Sequence, residues 1–151
     1  MIIELADIGP DGLDVTGAVP EEVLGSQADD PVRCTGPVEC ELHCQIVDRE
    51  FLVDGSLSAP LEMRCRRCDC TFAGALDRIA YHYDLELEPM PESVDLTNDI
   101  RESMILAFPS YPVCRESCKG LCAQCGANLN EEACGCKPPA DVRWGALDRL
   151  G

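Results

Sequence analysis

Between Val38 and Ile46 the chain alternates: Val38, Cys40, Leu42, Cys44 and Ile46 are apolar, and Glu39, Glu41, His43 and Gln45 between them are polar. A period of two is that of a strand with one buried face. Asp48 and Arg49 then read as a turn. A second run follows, with Phe51, Val53, Leu57, Ala59, Leu61, Met63 and Cys65 on one side and Asp54, Ser56, Ser58, Glu62 and Arg64 on the other. The two runs predict a long antiparallel hairpin. A third signal sets Ile79, Tyr81, Tyr83, Leu85 and Leu87 against Arg78, His82, Asp84, Glu86 and Glu88, which leaves the stretch Cys65 to Cys70 at a hairpin end. The first 30 residues show only short apolar pieces among Gly, Pro and acidic residues, and predict an edge strand and loops.

Pro89, Met90 and Pro91 break the sheet pattern. Beyond them Leu96, Ile100, Met104, Ala107 and Phe108 fall near helical spacing, with capping residues in Asp95, Thr97 and Asn98. Pro109 cannot extend such a helix, and Pro112 reinforces the stop. Near the end Asp141 reads as an N-cap for a short closing helix carrying Val142, Trp144, Leu147 and Leu150. The predicted fold class is α+β: an antiparallel strand-rich body over residues 1–88, a linker and helix packed on it over 89–113, and a small cysteine-rich zinc module with a short terminal helix over 114–151.

A chain of 151 residues fits one domain large enough to bury a core without disulfides. Aromatic residues at 5% make base-stacking platforms a poor expectation. The N-terminus has no basic n-region, and nowhere do about 18 apolar residues follow one another, so the expectation is a cytoplasmic protein with no membrane contact. In that compartment thiols stay reduced. The 12 cysteines are therefore expected to bind metal or do redox chemistry rather than staple the fold.

The formal net charge is −16, which argues against a broad phosphate-binding surface. Before Cys114 there are 7 basic and 23 acidic residues, and after it 5 of each, so the whole excess lies in the body. That split suits a basic protein partner better than naked RNA.

Six cysteines crowd into Cys114 to Cys136 with the spacing C-x3-C-x3-C-x2-C-x8-C-x-C. Cys122-Ala123-Gln124-Cys125-Gly126 is the specific piece: two thiolates can grip one ion across a tight turn, and the glycine supplies the positive φ that such a knuckle needs. Four-coordinate closure points to Cys122, Cys125, Cys134 and Cys136 as one structural zinc site. Cys114 and Cys118 are two sulfurs too many for that ion. They replace one of the C-x-C sulfurs, bind a second ion with help from Cys65 and Cys68, or remain free.

Catalytic zinc is a poor fit, because such sites keep an open position near histidine or carboxylate ligands, and the only histidines, His43 and His82, lie on polar strand faces. Cys118-x3-Cys122-x2-Cys125 has the spacing of a three-cysteine iron–sulfur motif, but only 26 residues follow it, too few for the barrel of a radical enzyme. Cys65-x2-Cys68 reads as half a metal site, a redox pair or two buried thiols. A strand rather than a helix follows it, against a thioredoxin-like role. Arg64, Arg66 and Arg67 make this tip locally positive, either as a contact for phosphate or partner or as solvated arginines around a turn. Cys40 and Cys44 are about 13 Å apart along a strand and belong to the core.

Taken together, Cys65-Arg66-Arg67-Cys68, Val94-Asp95-Leu96 leading into a helix closed by Pro109, C-K-G-L-C-x-x-C-G-x-N-L-N from Cys118 to Asn130, Cys134-x-Cys136 and the final Asp141-Val142-Arg143-Trp144 resemble the YceD (DUF177) family. The resemblance implies a role in accumulation of large-subunit ribosomal RNA. Some relatives lack the C-terminal cysteines, which implies that metal supports this end without performing the shared task. The expected function is a non-enzymatic ribosome-assembly factor with structural zinc, no small-molecule substrate, and a basic ribosomal protein or pre-ribosomal large subunit as partner. The alternatives are a zinc-ribbon binder of ribosomal RNA and an iron–sulfur or thiol redox protein.

Overall fold

The two alternating runs form strands β4 (Val38–Val47) and β5 (Glu50–Arg64) in the computed structural model, which describes residues 1–136. They pair antiparallel from Val47↔Glu50 to Glu39↔Ser58 around the expected turn, where Asp48 takes a left-handed φ of 57°. Aspartate tolerates that conformation because its short polar side chain bonds locally. The closing helix expected around Val142 to Leu150 lies outside the described residues.

Strand β5 is the spine of a five-stranded antiparallel sheet. One of its edges takes β4 and then the short β3 (Val32–Cys34), the other takes β6 (Thr71–Glu86), and β2 (Leu13–Val19) lies outside β4. Phe51, Val53, Leu57, Ala59 and Leu61 of β5 and Val38, Cys40, Leu42 and Cys44 of β4 are buried, as their alternation predicts. Cys34, which carries no periodic signal, is buried too, because β3 is too short to show a period. Burial pushes the Cys34 and Cys40 thiols up to about 11, so both behave as small apolar side chains.

Strand β6 begins seven residues before the predicted start of its alternation. Its inward residues change parity: Phe72, Gly74 and Leu76 are even-numbered, and Ile79, Tyr81, Tyr83 and Leu85 are odd. The cause is a bulge. Leu57 pairs with Ile79 while Ala59 pairs with Leu76, so Asp77 and Arg78 together oppose the single residue Ser58. Arg78 has a φ of 49°, donates its N–H to Ser58 Oγ at 2.9 Å, and sends its guanidinium to Glu41 at 2.8 Å.

A two-stranded sheet pairs β1 (Ile2–Glu4) with β7 (Ser93–Asp95) and leads into helix α1 (Thr97–Ala107). Leu96, Ile100 and Met104, four residues apart, are fully buried against the body, a burial worth about 1.5–3 kcal/mol for each side chain. The Asp95 carboxylate accepts from the Thr97 N–H at 2.9 Å and its hydroxyl at 2.5 Å. These bonds hold Asp95 below the usual carboxylate range. Phe108 is extended, as the residue before a proline must be, and the helix stops there. Among the described residues no helix is long and apolar enough to cross a membrane.

Candidate metal centres

The turn between β5 and β6 is built to present sulfur. The Cys65 N–H bonds the Cys70 carbonyl at 2.8 Å and the Asp69 N–H bonds the Cys65 carbonyl at 2.9 Å, while Asp69 takes a φ of 60°. The segment after α1 docks on this turn through the Arg66 N–H to the Pro112 carbonyl, 2.9 Å, and so carries Cys114 and Cys118 to Cys65 and Cys68. The four Sγ atoms lie within 4.8 Å of one another. Cys65 and Cys118 are 3.9 Å apart, and Cys68 and Cys114 3.7 Å. Four thiolates at about 2.3 Å from one zinc ion stand about 3.8 Å apart along each tetrahedral edge, so the set fits a single ion.

Electrostatics favours thiolate at two corners, Cys65 and Cys118. Burial opposes ionisation of Cys65, but N–H groups of Cys114, Cys68 and Arg67 more than offset it and bring the thiol down to about 6. The Cys114 N–H reaches the Cys65 sulfur at 3.4 Å and the Arg67 N–H at 3.5 Å. Cys114 itself is raised by burial to about 11. A dication would draw all four to the thiolate form.

The three arginines of the tip part company. Arg67 faces inward: its guanidinium donates to the Glu116 and Cys118 carbonyls, both at 3.1 Å, and its own carbonyl accepts from Leu121 at 2.9 Å. Gly120, at φ 77°, allows this approach, since a Cβ there would lie 2.9 Å from the Arg67 carbonyl oxygen. Arg64 lies 3.8 Å from Asp69. Arg66 has no side-chain ion pair or hydrogen bond among the described residues, and with Arg64 it lines an open cleft beside Pro31 and Leu121.

Cys122, Cys125, Cys134 and Cys136 form a second group, again with all Sγ atoms within 4.8 Å of one another. The knuckle is as its sequence predicts: Gly126 has a φ of 75°, its N–H bonds the Cys122 carbonyl at 2.9 Å, and the Cys122 N–H bonds the Ala127 carbonyl at 2.8 Å. N–H groups of Cys125 and Gln124 lower the Cys122 thiol to about 6. Cys125 is exposed and Cys122 half-buried, unlike Cys65, Cys68 and Cys118, which are buried. Both groups are closed sets of four soft ligands with no open position, the pattern of a structural ion.

One amide joins the two centres. Asn130, on the loop between Cys125 and Cys134, donates through Nδ2 to the Cys118 sulfur at 3.4 Å. Its Oδ1 accepts from the Lys119 N–H at 2.9 Å and from Arg115 at 3.1 Å. Asn128 holds it by accepting a second Nδ2 bond at 2.9 Å. Sequence reasoning had Asn130 only as a letter in a motif.

Cys114 and Cys118 therefore lie beside Cys65 and Cys68 rather than among the four downstream thiols. The available signal was arithmetic: two sulfurs are left over downstream, and Cys65-x2-Cys68 offers half a site. His43 and His82 lie outside both groups, each bonded on the open sheet face to an aspartate, Asp14 at 2.7 Å and Asp54 at 2.8 Å. If each group holds one zinc ion, Cys125→Ser loaded with zinc is expected to bind one ion per chain where the wild type binds two, with the far-ultraviolet circular dichroism of the strand body unchanged. Metal analysis returning two ions would show that the second group is not the ligand set.

Residues 53–151 match the family model described as large ribosomal RNA subunit accumulation protein YceD. An uncharacterized protein of Mycobacterium leprae is 33% identical over 107 residues, 62% of this chain and 49% of the relative. An uncharacterized protein of Mycobacterium tuberculosis is 30% identical over 124 residues, 73% of this chain and 60% of the relative. The large ribosomal RNA subunit accumulation protein YCED homolog 1 of Arabidopsis thaliana, chloroplastic, is 34% identical over 67 residues, 44% of this chain and 21% of the relative. The chain thus spans about half to three fifths of the length of the mycobacterial relatives it matches. No solved structure matches it.

Proposed function

The chain belongs to the YceD family, and from that premise we propose that it is a cytoplasmic, non-catalytic assembly factor that supports accumulation of large-subunit ribosomal RNA. It does so by binding a basic ribosomal protein or a pre-ribosomal large subunit, with zinc as a structural ion in each thiol centre. The family match carries the reading.

Charge supports the kind of partner. The net charge of −16 resides in the body, and Asp14, Glu39, Glu41, Asp54 and Asp84 are exposed along one sheet face. Such a field attracts basic chains and repels phosphate. Closed all-thiolate sets support structural metal: the ions supply cross-links, and the chain's own residues bind and orient. His43 and His82 sit away from both centres, so neither centre has a neighbouring general base in histidine.

Depletion of the protein tests the reading. The expected result is a fall in large-subunit ribosomal RNA and in mature large subunits, and unchanged levels of both would refute it. Brown, iron-containing protein from anaerobic purification would replace zinc with an iron–sulfur reading.

A second reading, direct contact with ribosomal RNA, rests on Arg66, whose side chain is unpartnered among the described residues, with Arg64 beside it. RNA binding that weakens steeply with salt and is lost in Arg66→Ala favours it.

A further inference from the structure

Beside the four sulfurs of the first centre stands a fifth, one more than a closed zinc site uses. Cys70 Sγ lies 3.2 Å from Cys68 Sγ, and its side chain packs against the buried Cys65, Cys68 and Cys118. That separation is shorter than a tetrahedral S···S edge of about 3.8 Å, so Cys68 and Cys70 cannot ligate one ion together from these positions. They can alternate. We propose that Cys68 and Cys70 share one coordination position of the first centre, with Cys70 as an exchangeable fourth ligand. The proposal rests on the reading of this centre as a metal site.

The other ligands are held from outside the turn. Cys65 Sγ receives the N–H of Cys114 and Cys118 Sγ receives the amide of Asn130, and both would have to break long-range bonds to leave. Cys68 Sγ stands among the sulfurs of Cys65, Cys70, Cys114 and Cys118, and the backbone N–H that reaches it is that of Cys70, within the same turn. Cys68 and Cys70 also belong to one short turn, closed by the Cys65 N–H to the Cys70 carbonyl, so the exchange changes a C-x2-C grip into a C-x4-C grip within one loop.

The exchange balances without an oxidant. The Cys70 thiol loses its proton as its sulfur bonds the metal, and Cys68 leaves as a thiolate that takes a proton up. Four thiolates surround the ion before and after. The free thiol of the centre is then divided between residues 68 and 70, and the ion survives loss of Cys68.

The test uses the full chain loaded with zinc. Wild type, Cys70→Ser and Cys68→Ser are each expected to hold two zinc ions, whereas Cys68→Ser with Cys70→Ser, or Cys65→Ser alone, holds one. Brief maleimide labelling of the wild type, mapped by peptide mass, is expected to modify about one thiol per chain at this centre, distributed between Cys68 and Cys70. Labelling confined to Cys70, or one zinc ion in Cys68→Ser, overturns the exchange while leaving the centre intact. A wild type with one ion that Cys65→Ser does not remove overturns the metal reading itself and the exchange with it. The labelling arm needs no variant, so a misfolded double substitution cannot rescue the proposal.

Discussion

Cys65→Ser is expected to remove one zinc ion and to lower the unfolding temperature of the body by about 10–20 °C, far more than Cys125→Ser does. The difference lies in what each ion ties together. In the first centre an ion would bridge residues 46 positions apart, Cys68 and Cys114, and a cross-link closing a loop of that length restricts the unfolded chain by about 4 kcal/mol. In the second, the main loop runs from Cys125 to Cys134, where the same relation gives about 2.6 kcal/mol, acting on a segment with little buried surface. At about 2–4 °C per kcal/mol for a domain of this size, about 4 kcal/mol approaches the predicted shift, and the lost docking of residues 112–121 supplies the rest. Thermal unfolding followed by circular dichroism, with metal analysis on the same samples, checks it. A shift of only one or two degrees would mean that the body does not depend on the first centre.

Gly55→Ala is the second large effect, expected to cost about 3–5 kcal/mol. Gly55 sits in the middle of β5, opposite Leu42 on one side and Tyr81 on the other. A Cβ there would fall 2.2 Å from the Glu41 carbonyl oxygen and 2.9 Å from the Leu42 Cα, both backbone atoms of a paired strand. No rotamer relieves such a clash. Strand β4 must withdraw from β5, and with it go ladder bonds and the burial of Leu42. Gly9→Ala is the control, since its nearest neighbour to an added Cβ is 4.0 Å away, and we expect less than about 0.5 kcal/mol there. Urea midpoints for the two variants compare them directly, and equal midpoints would sink the steric argument.

The sequence disclosed what depends on short range. The β4–β5 hairpin was legible because each strand buries one face, so alternation and turn appear within 30 residues. Helix α1 was legible through its spacing and Pro109. The bulge at Asp77 and Arg78 hid the first half of β6, because a strand whose inward parity changes has no single period. The three-residue strands β1, β3 and β7 are too short for any period and form because a partner is already in place. The sites divide in the same way. Cys122 to Cys136 are neighbours in the chain, and local spacing groups them. Cys65 and Cys118 stand 53 residues apart, and it takes the docking of the segment from Pro112 to Leu121 on Arg66 and Arg67 to bring them together.

The same long reach sets an order of events during synthesis. Strand β1 is made first, yet its partner β7 begins at Ser93, so the earliest residues wait for some 90 others before they can pair. The hairpin tip is completed later still, although its own wait is shorter, 53 residues from Cys65 to Cys118. As the chain emerges, Cys65, Cys68 and Cys70 are together at the end of a completed β5–β6 hairpin while Cys114 and Cys118 are still to be made. A nascent chain paused there presents three adjacent thiols with an incomplete set of ligands, and an ion captured at that stage cannot be enclosed until residue 118 has been added.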